Sequence, residues 1–278
     1  MALTNRFNQR VAIKQKLETQ DRDRDSELKK LKSRIKRYAE AYHNDSSIVP
    51  DEVYDKDVDK LRKLAPDDPL LRKVGAPVRG AKIALPYTMP SLDKYRSHDF
   101  DEIRSRQRGS YFYVSDKIDG SSALIDYPVK NKSLKMYSRG NGVYGQDLSS
   151  LLFIINGIGE IKPGEAVRGE LALSKTVFKK KFSKTFENAR NLVSGTVNSK
   201  DRAANEAAKH IVFIAHEFVN PSMGAETGFA KLKSRGFTLP KIKKFPIKTS
   251  VKELDEYVKQ RKAASDIDLD GIVIEFSN

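Results

Sequence analysis

Apolar residues at Leu28, Leu31, Ile35 and Tyr38 recur every three or four positions in a stretch free of proline and glycine, which predicts a helix over residues 7–41. The alternating charges from Asp21 to Asp25 read either as a solvated face or as a break between two helices. Pro50-Asp51 can open a second helix running to Leu64. Pro66, Pro69, Gly75, Pro77 and Gly80 then punctuate the chain, so a domain boundary is expected there, dividing residues 1–75 from 76–278. Beyond it the periodicity shortens. Tyr111–Ser115, Ala123–Tyr127, Leu134–Ser138, Val167–Leu173, Ile211–Val219 and Gly271–Phe276 are β-rich runs, several of them separated by turn signals such as Asp119-Gly120 and Gly140-Asn141-Gly142. A further helix is predicted over Val251–Lys262, where Ser250 and Glu253 have capping-box spacing. The expected class is α+β: a small helical N-terminal domain followed by a domain of antiparallel strands.

Composition narrows the chemistry. There are no cysteines in the 278 residues, which excludes disulfides, thiolate nucleophiles and thiolate-bound metals. No apolar run reaches the roughly 18–20 residues of a membrane span, and the N-terminus lacks the apolar core of a signal peptide. A cytoplasmic protein is expected, in the host cytoplasm if the source is viral. Fifty-two basic against 37 acidic residues give a formal charge of +15, which suits a polyanionic partner but equally a solvated lysine-rich surface. Lys175, Lys179, Lys180, Lys181 and Lys184 cluster among Phe178, Phe182 and Phe186, a face that can track phosphates.

Lys117-Ile118-Asp119-Gly120 ends an apolar strand. A lysine attacks as a nucleophile only when deprotonated, so its surroundings decide whether this one is chemical or structural. Three further segments follow in order: Ser138-Arg139-Gly140-Asn141-Gly142, Val167-Arg168-Gly169-Glu170 and Asp270-Gly271-Ile272-Val273-Ile274. Their order and spacing resemble the nucleotidyltransferase motifs shared by DNA ligases, RNA ligases and capping enzymes. Upstream, Tyr38 to His43 and Val49 to Asp55 look like the small N-terminal domain of NAD-dependent DNA ligases. Met89-Pro90-Ser91-Leu92-Asp93 stands where that family has its adenine-side loop, and Phe186 to Asn191 with Ser194-Gly195-Thr196 is similar to another family segment, with Ala189 replacing a proline. The resemblance covers about residues 30 to 276.

This resemblance implies an antiparallel-sheet nucleotidyltransferase domain of ATP-grasp-like type behind a helical domain that binds nicotinamide mononucleotide (NMN). Lys117 would attack the α-phosphorus of NAD+, hold AMP and release NMN. Asp119 would lie near the ribose and the lysine, and Asp270 would help a divalent cation or tune Lys117. Glu170 would accept from the ribose hydroxyls, while Arg139 and Arg190 neutralise phosphate. Ser91 and Leu92 would border the adenine. Tyr42, His43, Asp51, Tyr54 and Asp55 would cradle the NMN half. Mg2+ is the expected ion, with no protein ligand set assigned to it. Nicked double-stranded DNA is the expected partner, together with a second ligase subunit carrying the OB-fold and DNA-clamping parts, or else the chain is a shortened one. Taken singly, each of these residues also has a structural reading: Tyr42 and Tyr54 as core aromatics, His43 as a satisfied histidine, Asp51 and Asp55 as helix-start charges, and Glu170 as a solvent-facing strand residue.

Three positions depart from the family pattern. Ser115 stands where a glutamate usually reads the adenine, with Asp116 beside it. His216 stands where an aromatic ring stacks on the base, and Glu275 replaces a phosphate-binding lysine. The alternatives are an ATP-dependent polynucleotide ligase and a catalytically silent DNA- or partner-binding subunit.

Overall fold

The computed structural model of the protein describes residues 25–39, 51–72, 83–93, 99–107, 109–130 and 132–276. The chain forms two compact units that part near residue 76. In the first, residues 25–39 form helix α1 and Asp51–Leu64 form α2. Leu31, Ile35 and Leu61 are buried between them, each contributing about 2 kcal/mol of apolar burial. Arg34 grips Asp57 through two hydrogen bonds of 2.8 Å, and Lys32 lies 2.6 Å from Asp68. The expected helix over residues 7–24 falls outside the described residues.

Among its described residues the second unit has three antiparallel sheets. Strands β1 (Ile83–Ala84), β2 (Tyr111–Ile118), β3 (Ser121–Asp126), β4 (Lys135–Ser138), β5 (Tyr144–Gly145), β6 (Ala166–Leu173), β7 (Ile211–Asn220), β8 (Ile242–Pro246) and β9 (Leu269–Phe276) are interleaved with helices α3 (Phe100–Ser105), α4 (Lys175–Lys181), α5 (Ala189–Asn198), α6 (Ala225–Ser234) and α7 (Val251–Ala264). The orders are β4-β3-β6-β7, β8-β2-β9 and the pair β1-β5. The expected α+β class therefore holds, and so does the capping box of α7, where Ser250 and Glu253 bond reciprocally.

One face of the four-stranded sheet carries the main core. Val167, Leu171, Phe213 and Phe218 pack there against Leu192 and Val193 of α5 and Phe229 and Leu232 of α6. Phe112 and Val114 of β2 pack instead with Phe245 and Leu254 under α7. The phenylalanines interleaved with the lysine cluster are anchors: Phe178, Phe182 and Phe186 lie against the main core, which leaves Lys179, Lys180, Lys181 and Lys184 exposed. Between β2 and β3 the chain turns at Gly120, where a Cβ would lie 2.2 Å from the Leu171 carbonyl oxygen, so no other residue fits. Among the described residues no helix is long and apolar enough to cross a membrane.

Candidate active site

Strand alternation sorts β2 into two faces. Phe112, Val114 and Asp116 point toward α7, whereas Tyr113, Ser115 and Lys117 point the other way. Asp116 is buried and held by Arg261 of α7 in a two-point ion pair, Nε to Oδ1 at 3.0 Å and Nη2 to Oδ2 at 2.8 Å. It is committed to the opposite face from Ser115, so it does not make up for the missing glutamate there.

The two larger sheets meet at Ile118, Ala172 and Ile214, and the polar groups gather along this seam. Two β-bulges aim them. In β9, Gly271 pairs with Lys117 and Leu269 with Ile118, which leaves Asp270 as the extra residue, and its carboxylate pairs with the Lys117 ammonium. In β7, Glu217 pairs with Arg168 and Ala215 with Gly169, so His216 is extra and turns its ring toward Glu170, Nε2 to Oε2 at 4.0 Å.

Arginines surround this row. Arg190, in the first turn of α5, pairs with Asp119 in the β2–β3 turn. The helix start is fixed by Asn188, whose side chain accepts from the Asn191 amide at 2.8 Å. Arg139 donates to the Met89 carbonyl at 3.1 Å and to Ser91 Oγ at 2.6 Å. Arg168 donates to the Pro90 carbonyl at 3.0 Å and, through its other terminal nitrogen, reaches Glu217 at 3.4 Å. The loop from Met89 to Ser91 is thus tied to the four-stranded sheet from β6 and from the residue that follows β4, with Met89 fully buried and Leu92 half exposed. Sequence reasoning passed over Arg168 although it lies two residues from Glu170 on the same strand, a spacing that puts both on one face.

The electrostatics oppose two neighbouring groups. Burial pushes the Glu170 carboxyl up to about 7, although Arg190, Arg168, Lys117 and Arg139 all pull it down. Burial, helped by Arg168 and Lys117, brings the His216 imidazole down to about 4, so the ring is neutral at pH 7 and free to stack. Their linkage to stability has opposite signs. The Glu170 contribution is fully present below its unfolded value of 4.5 and is lost as pH rises through about 7. The His216 contribution is fully present above 6.5 and is lost as pH falls toward about 4. Glu170→Gln is therefore expected to lose melting temperature on acidification more steeply than the parent, and His216→Phe less steeply. Parallel melting-temperature curves for all three proteins would refute this.

Of the other expected contacts, Tyr54 is half-buried against the Leu31–Ile35–Leu61 core of the first unit. Asp51 and Asp55 lie on α2, but their side chains fall outside the described ones, as do Tyr42 and His43 altogether. Among the described residues no three carboxylate or histidine groups converge as a ready-made metal site.

Comparison with known proteins adds the family. Residues 82–278 match the model of the NAD-dependent DNA ligase adenylation domain. The chain is 37% identical over 250 residues to a DNA ligase of Acanthamoeba polyphaga mimivirus, covering 86% of this chain and 38% of that protein. It is 29% identical over 282 residues to a DNA ligase of Borreliella afzelii, covering 91% and 42% respectively. It thus spans about two fifths of the length of these relatives. A solved structure from a study of Lig E DNA ligases aligns with 68% of this chain and 61% of its own, at 17% identity and a TM-score of 0.44. With 197 consecutive residues matched to one family model, the chain belongs to the NAD-dependent DNA ligase adenylation domain family.

Proposed function

We propose that this chain performs the first step of NAD-dependent DNA ligation, transfer of AMP from NAD+ to its own Lys117. The observation that carries the reading is the Lys117–Asp270 pair, set by a bulge in a seam that also gathers Glu170, His216 and three arginines. Lys117 Nζ forms the bond to the α-phosphorus, and the bond from that phosphorus to the oxygen bridging to NMN breaks. One ammonium proton leaves Nζ for solvent to free the attacking lone pair, and the second passes to the paired Asp270 carboxylate as the N–P bond forms. NMN departs with the electron pair of the broken bond.

The other residues bind and orient. Arg139 and Arg190 meet phosphate charge, as planar guanidinium groups do best. Glu170 accepts from the ribose hydroxyls, and contact with their donors favours its ionised form. The neutral His216 ring stacks on the base, while Ser91 and Leu92 border it. Asp119 holds Arg190 and stands near the ribose. Tyr42, His43, Asp51, Tyr54 and Asp55 receive the NMN half, a reading supported by their sequence pattern. Mg2+ would neutralise charge developing on the phosphates, with no ligand set among the described residues assigned to it.

The later steps, AMP transfer to a 5′-phosphate at a DNA nick and strand sealing, are proposed to need parts that the longer relatives possess, in this chain's case on a partner polypeptide or an adjoining segment. The exposed face of Lys179, Lys180, Lys181 and Lys184 suits the DNA backbone. Intact mass tests the first step. Protein stripped of any AMP by excess NMN is incubated with magnesium and either NAD+ or ATP. The expected result is a gain of one adenylyl group with NAD+ and none with ATP. A gain with ATP, or none with either nucleotide, counts against the proposal.

A further inference from the structure

The Asp270 carboxylate sits on a bulge, and a bulge keeps its extra residue only while the strand is pinned on both sides of it. On the far side Gly271 rejoins the ladder opposite Lys117, and β9 stays paired with β2 up to Phe276. Side-chain packing adds nothing at that first step, because a Cβ on Gly271 would meet no atom beyond its chain neighbours within 4 Å. On the near side the ladder ends at Leu269, which pairs with Ile118. What fixes the chain before Leu269 therefore decides whether Asp270 stays the extra residue. A slip of one residue there would turn its side chain to the other face.

The entering segment is clamped to the start of α4 through Asp266. Its carboxylate accepts from Ser174 Oγ, from the Thr176 amide at 3.0 Å and from Thr176 Oγ1 at 2.7 Å. Its carbonyl accepts from the Lys175 amide at 2.6 Å, and an antiparallel bridge joins Ser174 to Ile267. Hydrogen bonds from Ser174 first and Thr176 second hold the Asp266 carboxyl below its ordinary value, so it is an ionised acceptor at pH 7. Two residues on, the Asp268 carbonyl accepts from the Asp119 amide at 2.9 Å, and Ile267 and Leu269 pack against Ile118, Ala172 and Ile214. Ser174 directly follows β6, the strand of Glu170. Asp266 thus ties the chain that delivers Asp270 to the strand that delivers Glu170, with its own carboxylate directed at α4 rather than at Lys117.

We propose that Asp266 is a positioning residue for lysine adenylation, the clamp that holds the β9 bulge so that Asp270 meets the Lys117 ammonium. The inference rests on the reading of Asp270 as proton acceptor. Asp266 forms and breaks no bond in the step. It acts through the placement of Asp270, and displacing a reacting group by about 1 Å can cost about 10²-fold in rate.

The test follows the adenylated mass fraction over time in the full chain, stripped of AMP and given magnesium with a range of NAD+ concentrations. Asp266→Ala is expected to lower the maximal rate about tenfold and to leave the half-saturating NAD+ concentration within about twofold of the parent. Asp266→Asn keeps an acceptor for Thr176 and can donate to Ser174 Oγ, so it is expected to recover most of the rate. Added to Asp270→Asn, Asp266→Ala is expected to slow the step no further, because the group it places is already gone. A merely structural role would instead lower the melting temperature and leave the rate per folded molecule unchanged. Thr176→Val removes one donor from the other side of the clamp and is expected to slow the step about threefold, so it serves where Asp266→Ala does not fold. A maximal rate within about twofold of the parent in Asp266→Ala, or in Thr176→Val where only that variant folds, overturns the assignment. Losses that multiply in the double variant overturn it as well. An absent adduct in the parent chain counts against the proposed function, whereas an unimpaired Asp270→Asn removes the proton-acceptor reading and the clamp with it.

Discussion

Replacing Lys117 by alanine is expected to abolish the adenylyl mass gain altogether, with no slow residual phase. Arg139, Arg168 and Arg190 stay protonated, and the depressed His216 ring is assigned to the base end of the nucleotide, so none of these four takes over as nucleophile. Lys117→Arg should be equally silent, because a guanidinium keeps the charge and lacks the nucleophile. The fold should tolerate both changes. Lys117 and Asp270 keep about a third or more of their side chains exposed, and pairs of that kind contribute little to stability. The decisive comparison is intact mass after incubation with NAD+, alongside a melting curve for each variant. An adduct in Lys117→Ala would move the nucleophile elsewhere and dismantle the active-site assignment.

Asp270→Asn should produce the second largest effect, slowing adduct formation by about 10²–10⁴-fold while NAD+ binding stays within a few-fold of the parent. Asparagine preserves the size of the side chain and the bulge that turns it toward Lys117, but it cannot accept the proton that leaves Nζ. Deprotonation must then pass to solvent, so the residual rate should climb with pH. The check is a time course of the adenylated mass fraction at saturating NAD+. A rate within about twofold of the parent would mean that Asp270 only neutralises the resting lysine and takes no part in proton transfer.

Much of this architecture was legible because it depends on local pattern. The alternation in β2, β3, β4, β6, β7 and β9 survives in the structure with ends shifted by a few residues, and Ser250 with Glu253 marks the start of α7. What escaped depends on distant partners. Helix α5 contains Ser194, Gly195 and Thr196, poor helix formers that hold because Leu192, Val193 and Val197 bury against the main core. Helix α6 begins without a side-chain cap, and β8 is interrupted by Lys243 and Lys244, whose charges rest on aromatic rings. The candidate site divides in the same way. Lys117, Asp119, Arg139, Glu170, Arg190 and Asp270 could be found from motif order. The loop-holding role of Arg168 could not, because it follows from which loop lies opposite β6.

The two bulges also separate chemistry from scaffold. Asp270 and His216 are each a single extra residue in its ladder, with Gly271 and Leu269 already facing Lys117 and Ile118, and Glu217 and Ala215 already facing Arg168 and Gly169; the β6–β7 ladder has one further irregularity, at Val219. A chain shortened by one of these residues would close its ladder and lose one reactive group, without transferring any other side chain to the wrong face. Such a sheet can diverge in evolution by codon loss or gain at two points, passing between active and inert lineages while its core stays the same.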